Sequence, residues 1–487
     1  MKPINEISKS KNSCTNVRKE PLNYINLASK RTDKIAVESR KINFKEIYQK
    51  PNDKDLQDQA SRCLDCGNPY CEWKCPLHNM IPNWLELSRD GHFEKAAELM
   101  HETNPLPEIC GRVCPQDRLC EQACTLQTGF GAVTIGEVEK VISDKALANK
   151  WRPDLSGIEK IDKKVSIVGA GPAGLGCAEL LARNGVNVIV YDRYPEIGGL
   201  MTFGIPGFKL EKSVIAQRRE FLQDIGIEFK LNINVGRDIT IEEIRKKSDS
   251  VFLGLGCYKS LDGSLIGRDH KGVLNALDYL IGNISQQENY NVKQYSDERD
   301  FSYQDLKGKS VIVLGGGDTA MDCVRSAVRQ NAKKVSCVYR KSKEAMPGSP
   351  REVENAIEEG VDFIFGHQPV EIVESSGSVS GVKFEISNSN SDGIMEQAEA
   401  FLDADVVIIA FGFAASPENW FSEIGLETEA NGLVKVGDSK ETNLEDIFVG
   451  GDMVSGADLV VTAIAQGRDA ARSILDRFDC KNLVIKI

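Results

Sequence analysis

The chain has no apolar run long enough to cross a bilayer. Its best stretch, Val406 to Ala415, is ten residues long and follows Asp405, where about twenty are needed. No apolar core lies behind the first residues, Met1-Lys2-Pro3-Ile4-Asn5-Glu6, so neither a secretory signal nor a membrane span is expected, and the cytoplasm is the expected location. Excess positive charge is missing too. Lys and Arg number 60 against 72 Asp and Glu, a net charge of −12, which argues against broad nucleic-acid binding. Wholesale disorder is excluded, since 41% of the residues are hydrophobic and 27% charged. A chain of 487 residues has room for roughly two to four domains.

Cysteine, by contrast, is plentiful and uneven. Of 14 cysteines, eight lie between Cys63 and Cys124. Without an export signal a disulfide framework is disfavoured, and clustered thiols point to metal. The runs are Cys63-x2-Cys66-x4-Cys71-x3-Cys75-Pro76 and Cys110-x3-Cys114-Pro115-x4-Cys120-x3-Cys124. Four thiolates hold one 4Fe–4S cluster, and Cys-Pro closing a run is typical of bacterial ferredoxins, so two clusters are expected. Zinc is the structural alternative, but it favours paired C-x2-C knuckles and only one is present. Unligated thiols are a third reading. Cys177, Cys257, Cys323 and Cys337 sit in apolar surroundings and read as small buried hydrophobes, while Cys14 and Cys480 stand alone.

Apolar spacing predicts one or two helices over Asn83 to His101 and another from Thr134, with Ile135, Val138, Val141 and Ile142 as its buried stripe. A short amphipathic pattern falls at Phe44, Ile47 and Tyr48. No long β-type run precedes Val165, so the first part of the chain reads as a small helical module. The texture then changes. Lys163 to Val168 predicts a strand, Ala173 to Arg183 a helix and Val186 to Tyr191 a second strand. The same order returns at Ser310 to Leu314, Thr319 to Arg329 and Val335 to Tyr339. Two such βαβ units point to two doubly wound dinucleotide-binding domains in an α/β fold. The polar stretch Asn283 to Lys309 separates patterned regions, and Ser387 to Gly393 reads as a hairpin turn.

Between strand and helix the first unit carries Gly169-Ala170-Gly171-Pro172-Ala173-Gly174, and Asp192 ends its second strand. Glycines there let the backbone approach a pyrophosphate, and the acid suits a ribose 2′-hydroxyl of FAD or NAD. The second unit carries Gly315-Gly316-Gly317-Asp318-Thr319-Ala320, but its second strand ends in Arg340-Lys341. A basic pair at that position matches the 2′-phosphate of NADPH; the alternative is a solvated pair after a strand. Near the end, Ile447-Phe448-Val449-Gly450-Gly451-Asp452 runs into a helix over Leu459 to Arg468. This segment can return the chain to the first unit, with Asp452 near the flavin's ribityl or phosphate groups.

With these residues in place, the chain resembles the small (beta) subunits of bacterial NADPH-dependent glutamate synthases. The resemblance rests on Arg62-Cys63-Leu64-Asp65-Cys66-Gly67, Gly111 through Cys120, Gly198-Gly199-Leu200 with Phe203-Gly204-Ile205-Pro206, and Gly315 through Arg325. Tyr339-Arg340-Lys341 with Met346-Pro347-Gly348, and Gly450-Gly451-Asp452 through Arg468, complete it. Dihydropyrimidine dehydrogenase and bifurcating ferredoxin:NADP transhydrogenases share this core. The resemblance implies an α-helical iron–sulfur domain over residues 1–160, an FAD domain split between 161–280 and 441–487, and an NADPH domain at 281–440. By position, one cluster would take Cys63, Cys66, Cys71 and Cys124, the other Cys75, Cys114 and Cys120. The fourth ligand of the second is Glu139 or Cys110, and Glu139 reads equally as a solvated helix residue. The implied cofactor contacts add Arg193, Gly199, Leu200, Gly204, Ile205, Pro206, Lys209, Val235, Val460 and Val461 to the two glycine turns. Two departures stand out: Asp192 replaces the more common Glu, and Lys341 a second Arg, which keeps charge but loses the planar fork.

The implied role is electron input. NADPH gives hydride to FAD, which returns electrons singly to two 4Fe–4S clusters, so no catalytic side chain is expected. The acceptor would be the large (alpha) subunit of glutamate synthase, which makes glutamate from glutamine and 2-oxoglutarate. The alternatives are a transhydrogenase or dihydropyrimidine dehydrogenase type of complex, and a non-catalytic cluster-containing scaffold.

Overall fold

The computed structural model describes residues 22–292, 299–389 and 395–480. Its first part is helical: α1 (Asp53–Ala60), α2 (Tyr70–Lys74), α3 (Ile81–Arg89), α4 (Phe93–Thr103), α5 (Pro107–Val113) and α6 (Ile135–Ala148). The expected stripe of α6 is buried, with Ile135, Val138 and Ile142 packed among Leu56, Trp84, Ala97 and Met100. Asn52 caps α1 by accepting from Asp55 N–H, satisfying an otherwise orphaned donor. The pattern at Phe44, Ile47 and Tyr48 does not become a helix. Ile47 is buried, but the segment is extended and pairs Tyr48 with Lys34 in an isolated bridge.

Two parallel sheets follow. The first contains β1 (Lys164–Val168), β2 (Asn187–Asp192), β3 (Glu228–Leu231) and β4 (Ser250–Leu253), with helix α7 (Pro172–Arg183) after β1 and α8 (Lys212–Asp224) before β3. The second contains β5 (Val273–Asn275), β6 (Ser310–Leu314), β7 (Lys334–Tyr339) and β8 (Asp362–Phe365). Helix α9 (Ala276–Glu288) follows β5, α10 (Asp318–Arg329) follows β6, and α11 (Pro350–Glu358) precedes β8. An antiparallel meander, β9 (His367–Ser375), β10 (Ser378–Ser389) and β11 (Met395–Asp403), leads to β12 (Val406–Ile409), which re-enters the second sheet. Finally β13 (Ile447–Val449) and α12 (Val460–Arg477) return to the first. The orders are β13-β4-β1-β2-β3 and β5-β12-β6-β7-β8, every pair parallel.

The return of the C-terminal segment is built on close approach. A Cβ on Gly467 of α12 would sit 2.0 Å from Ala173 O, and one on Gly176 of α7 would sit 2.9 Å from Ile464 O. Only bare backbone lets these helices touch. The inserted domain is displaced from the expected 281–440. Strand β5 already pairs with β12, so the second sheet begins by Val273, and α9 runs into the polar stretch from Asn283. Trp420, Phe421 and Leu426 pack with Val168 and Ile189 of the first sheet, so the chain is back before residue 441. Part of the expected hairpin turn, Ser387 to Ser389, belongs to β10, and 390–394 lie outside the described residues.

Candidate functional site

One cavity of about 1120 Å³ opens where strands of both sheets end. Gly169 and Gly171 line it after β1, Asp192 at the end of β2, Gly254 after β4, Gly315 and Gly317 after β6, and Gly450 to Asp452 after β13. Ligands of open parallel sheets bind at these carboxyl ends. The volume exceeds the roughly 300–1,000 Å³ of a single small-molecule pocket, as a site for two nucleotides requires.

The first and second glycines of each motif divide their work alike in the two units. Gly169 has φ +105°, and a Cβ there would lie 2.4 Å from Gly254 O; Gly315 has φ +142°, with Ala410 O at 2.3 Å. These positions make the tight turn. A Cβ on Gly174 would meet Gly169 O at 1.9 Å, so helix presses on turn. The middle glycines differ. Gly317 would meet nothing within 4 Å, and Gly171 only Gly254 O at 4.0 Å. Both open into the cavity at the point where a pyrophosphate approaches the N-terminus of a helix, so both cradles fit a dinucleotide.

Asp192 is buried at the cavity wall, its Oδ2 accepting from Ala170 N–H (2.6 Å) and its Oδ1 from Tyr194 N–H (2.8 Å). Burial raises its pKa despite those two bonds. Arg193 lies over the rings of Tyr194 and Tyr258. Gly199, Leu200, Gly204, Ile205, Lys209, Val235 and Val460 reach the cavity, as do Asp318, Thr319 and Arg340. Pro206, Ala320 and Val461 lie outside its lining, and so does Lys341, which is exposed. Arg340 therefore stands at the cavity rim without its neighbour. Lys209 is not free: its Nζ is 3.0 Å from Asp322 Oδ1, and although burial opposes its charge, Asp322, Glu352 and Asp318 keep its pKa raised. Burial pushes Asp452 up to about 7.

The thiols form two groups. A pocket of about 20 Å³ is lined by Cys63, Cys66, Cys71 and Cys124. Beside it lie Cys75, Cys110, Cys114, Cys120 and Glu139, close enough that their negative charges would oppose one another, and Cys120 is also close to Cys71 of the first group. Burial pushes Cys63 up to about 11, and Cys71 and Cys75 to about 12. Burial disfavours the thiolate form, and a cationic group bound among the sulfurs would offset that cost; such a donor set fits iron–sulfur clusters. Among the described residues no three His, Cys, Asp or Glu side chains converge on a single metal ion. Glu139 is not solvated. It is 7% exposed, and the Nδ2 groups of Asn79 (3.1 Å) and Asn104 (2.9 Å) both donate to its Oε1. Burial pushes it to about 8. Arg62, fully buried, donates to the carbonyls of Leu27, Phe130, Gly131 and Ala132, tying the chain around the first group.

Two cavity residues come from the helical module, Val113 and Arg118. Both fall within the Gly111 through Cys120 block, where nothing local marks them as cavity residues. Val113 brings the second thiol group to the wall of the nucleotide cavity.

Residues 40–151 match the family described as dihydropyrimidine dehydrogenase domain II, 4Fe–4S cluster, and residues 163–467 match pyridine nucleotide-disulphide oxidoreductase. The chain is 51% identical to the glutamate synthase [NADPH] small chains of Halomonas elongata and Escherichia coli, over 94% and 93% of its length and 98% of each relative. It is also 48% identical to the Escherichia coli protein AegA, over 93% of this chain and 70% of that one. Among solved structures, FprA from Mycobacterium tuberculosis in complex with NADPH matches with TM-score 0.53 and 17% identity, over 65% of this chain and 84% of that chain. At that identity the likeness concerns the fold.

Proposed function

We propose a function from the premise that this chain belongs to the family of glutamate synthase [NADPH] small chains: it is the NADPH-oxidising, electron-input subunit of that enzyme. A small chain of this family has a large-chain partner, and we assign to that partner the synthesis of glutamate from glutamine and 2-oxoglutarate. No helix among the described residues is long and apolar enough to cross a membrane, which suits a role in the cytoplasm.

Bound FAD would supply an acceptor of hydride from NADPH that can return electrons singly, and 4Fe–4S clusters would supply one-electron carriers. The side chains and backbone of this chain bind, orient and insulate. Gly171 and Gly317 would admit the two pyrophosphates, Asp192 would receive the adenosine ribose of FAD, and Arg340 the 2′-phosphate of NADPH. Cys63, Cys66, Cys71 and Cys124 would hold one cluster; Cys75, Cys114, Cys120 and Glu139 the other, with Cys110 behind it, held to Asn104 Oδ1 at 3.7 Å. One observation supports this reading above all: a single cavity joins both glycine turns and has Val113, the neighbour of Cys114, in its wall.

Anaerobically purified protein should contain about eight iron and eight acid-labile sulfide per chain. NADPH should bleach its flavin absorbance, and adding the large chain should yield glutamate from glutamine and 2-oxoglutarate. Stoichiometric zinc without sulfide, or a flavin that NADPH leaves oxidised, would refute the assignment. Bleaching without glutamate formation would point to a different acceptor.

A further inference from the structure

We infer that Arg118, carried by the helical module, is a pyrophosphate-binding residue of the nicotinamide-nucleotide site, so that bound nucleotide clasps the iron–sulfur module to the second sheet. The inference rests on the cavity's reading as a nucleotide site and adds a residue from outside both glycine-turn units.

Arg118 lies between Cys114 and Cys120, yet its side chain enters the wall of the large cavity beside Gly317 and Asp318. Its Nη1 donates to Pro347 O at 2.6 Å, and its Nη2 is 3.5 Å from Asp318 Oδ2. Its Nε is enclosed and out of reach of the cavity. The guanidinium is therefore oriented by Pro347 and Asp318, and the second hydrogens of Nη1 and Nη2 remain to donate toward the cavity, the side chain being 41% exposed. Asp318 opens α10, a helix of 12 residues whose N-terminus attracts phosphate. A carboxylate there would repel the same phosphate. The structure draws it aside: Ser349 N–H donates to Asp318 Oδ1 at 3.0 Å, and Arg118 flanks the other oxygen. Asp117 adds a second bridge, accepting from Ser349 Oγ at 3.3 Å. Arg118 thus neutralises the one acid at this helix terminus and presents a cation to the cavity next to Gly317. A tie between domains alone would need the Pro347 contact but not an oriented guanidinium in the nucleotide wall.

The test uses the full, cluster-loaded protein and measures dissociation constants for NADP⁺, NAD⁺ and 2′-AMP, which lacks the pyrophosphate. Arg118→Gln should weaken NADP⁺ and NAD⁺ by the same factor, about tenfold or more for one charge-assisted hydrogen bond, and leave 2′-AMP unchanged. Arg118→Lys should recover part of the loss, and because it keeps the charge it remains informative if Arg118→Gln fails to fold. Unchanged NADP⁺ affinity in Arg118→Gln, or an equal loss for 2′-AMP, would overturn the inference. Wild-type protein that binds no nicotinamide nucleotide would instead overturn the reading of the cavity itself, and this proposal with it.

Discussion

The two βαβ units differ more at their far rims than in the first two glycines of their turns. In both, the outer glycine makes the turn and the middle one leaves the backbone bare toward the cavity. Beyond the turn the chemistry diverges. The first unit ends β2 in Asp192, buried and held by two backbone amides, while in the second exposed Arg340 follows β7. Their anchoring differs too. The first is closed by α12, which packs on α7 through bare backbone, and is sealed to the helical module by the fully buried pair Arg218–Glu108. The second meets its neighbours through charge: Lys209 with Asp322, Arg329 donating to Asn43 O, Lys34 and Arg40 with Glu358. The two units share a backbone cradle and differ in the charge at the rim. The first seat is the more closed, and the second is the more exposed.

The strongest test separates the units outright. Gly171→Val should strip FAD during purification, because a side chain would fill the space a pyrophosphate needs. Gly317→Val should keep FAD but lose nearly all NADPH-driven dye reduction. Absorbance spectra and turnover with a dye acceptor read both, and identical losses in the two variants would erase the distinction.

Next in size is the seal on the flavin side. Removing one partner of a buried ion pair costs about 3–5 kcal/mol. Glu108→Gln should therefore lower the thermal midpoint by several degrees, whereas Lys34→Gln, at the more exposed pairing with Glu358, should lower it little. Calorimetry distinguishes them, and equal shifts would contradict the difference in anchoring.

The rim charge comes third. A charge-assisted hydrogen bond is worth about 1.5–3 kcal/mol, so Arg340→Ala should raise the KM for NADPH roughly 10- to 150-fold and leave NADH nearly unchanged. Lys341→Ala should matter less, since Lys341 lies outside the cavity lining. Equal loss with both nucleotides would make Arg340 a support of the fold.

The smallest effect concerns acid. Burial, with Arg218 and Arg183 nearby, holds the His101 pKa well below 6.5. Above pH 6.5 the ring is neutral in both folded and unfolded chains and costs nothing. Below it the unfolded chain takes up a proton that the folded one refuses, so stability falls by up to about 1.4 kcal/mol per pH unit. Thermal midpoints between pH 5 and 7 should show this slope, and His101→Gln should flatten it.

Much of the architecture was legible because its causes are local. The stripe of α6 and the strands that precede each glycine turn follow from apolar spacing within one element. The return of the C-terminal segment could be read from Gly450-Gly451-Asp452. The amphipathic pattern at Phe44, Ile47 and Tyr48 fixes no element: Ile47 alone is fully buried, and the segment is not helical. The domain boundary at 281 misled: β5 is three residues long, and its pairing with β12 brings together positions more than a hundred residues apart.

The site divides along the same line. Glycine turns, rim charges and clustered thiols are short-range patterns with a direct chemical meaning, so the sequence alone determined the kinds of group this chain can hold. Tertiary packing decided which of those residues act together. It grouped Cys124 with Cys63, buried Glu139 beneath two asparagines, left Lys341 outside the cavity and brought Arg118 to Asp318. The reason is physical: hydrogen-bonded turns and periodic burial are settled within a few residues, whereas contacts across domains depend on how whole surfaces fit.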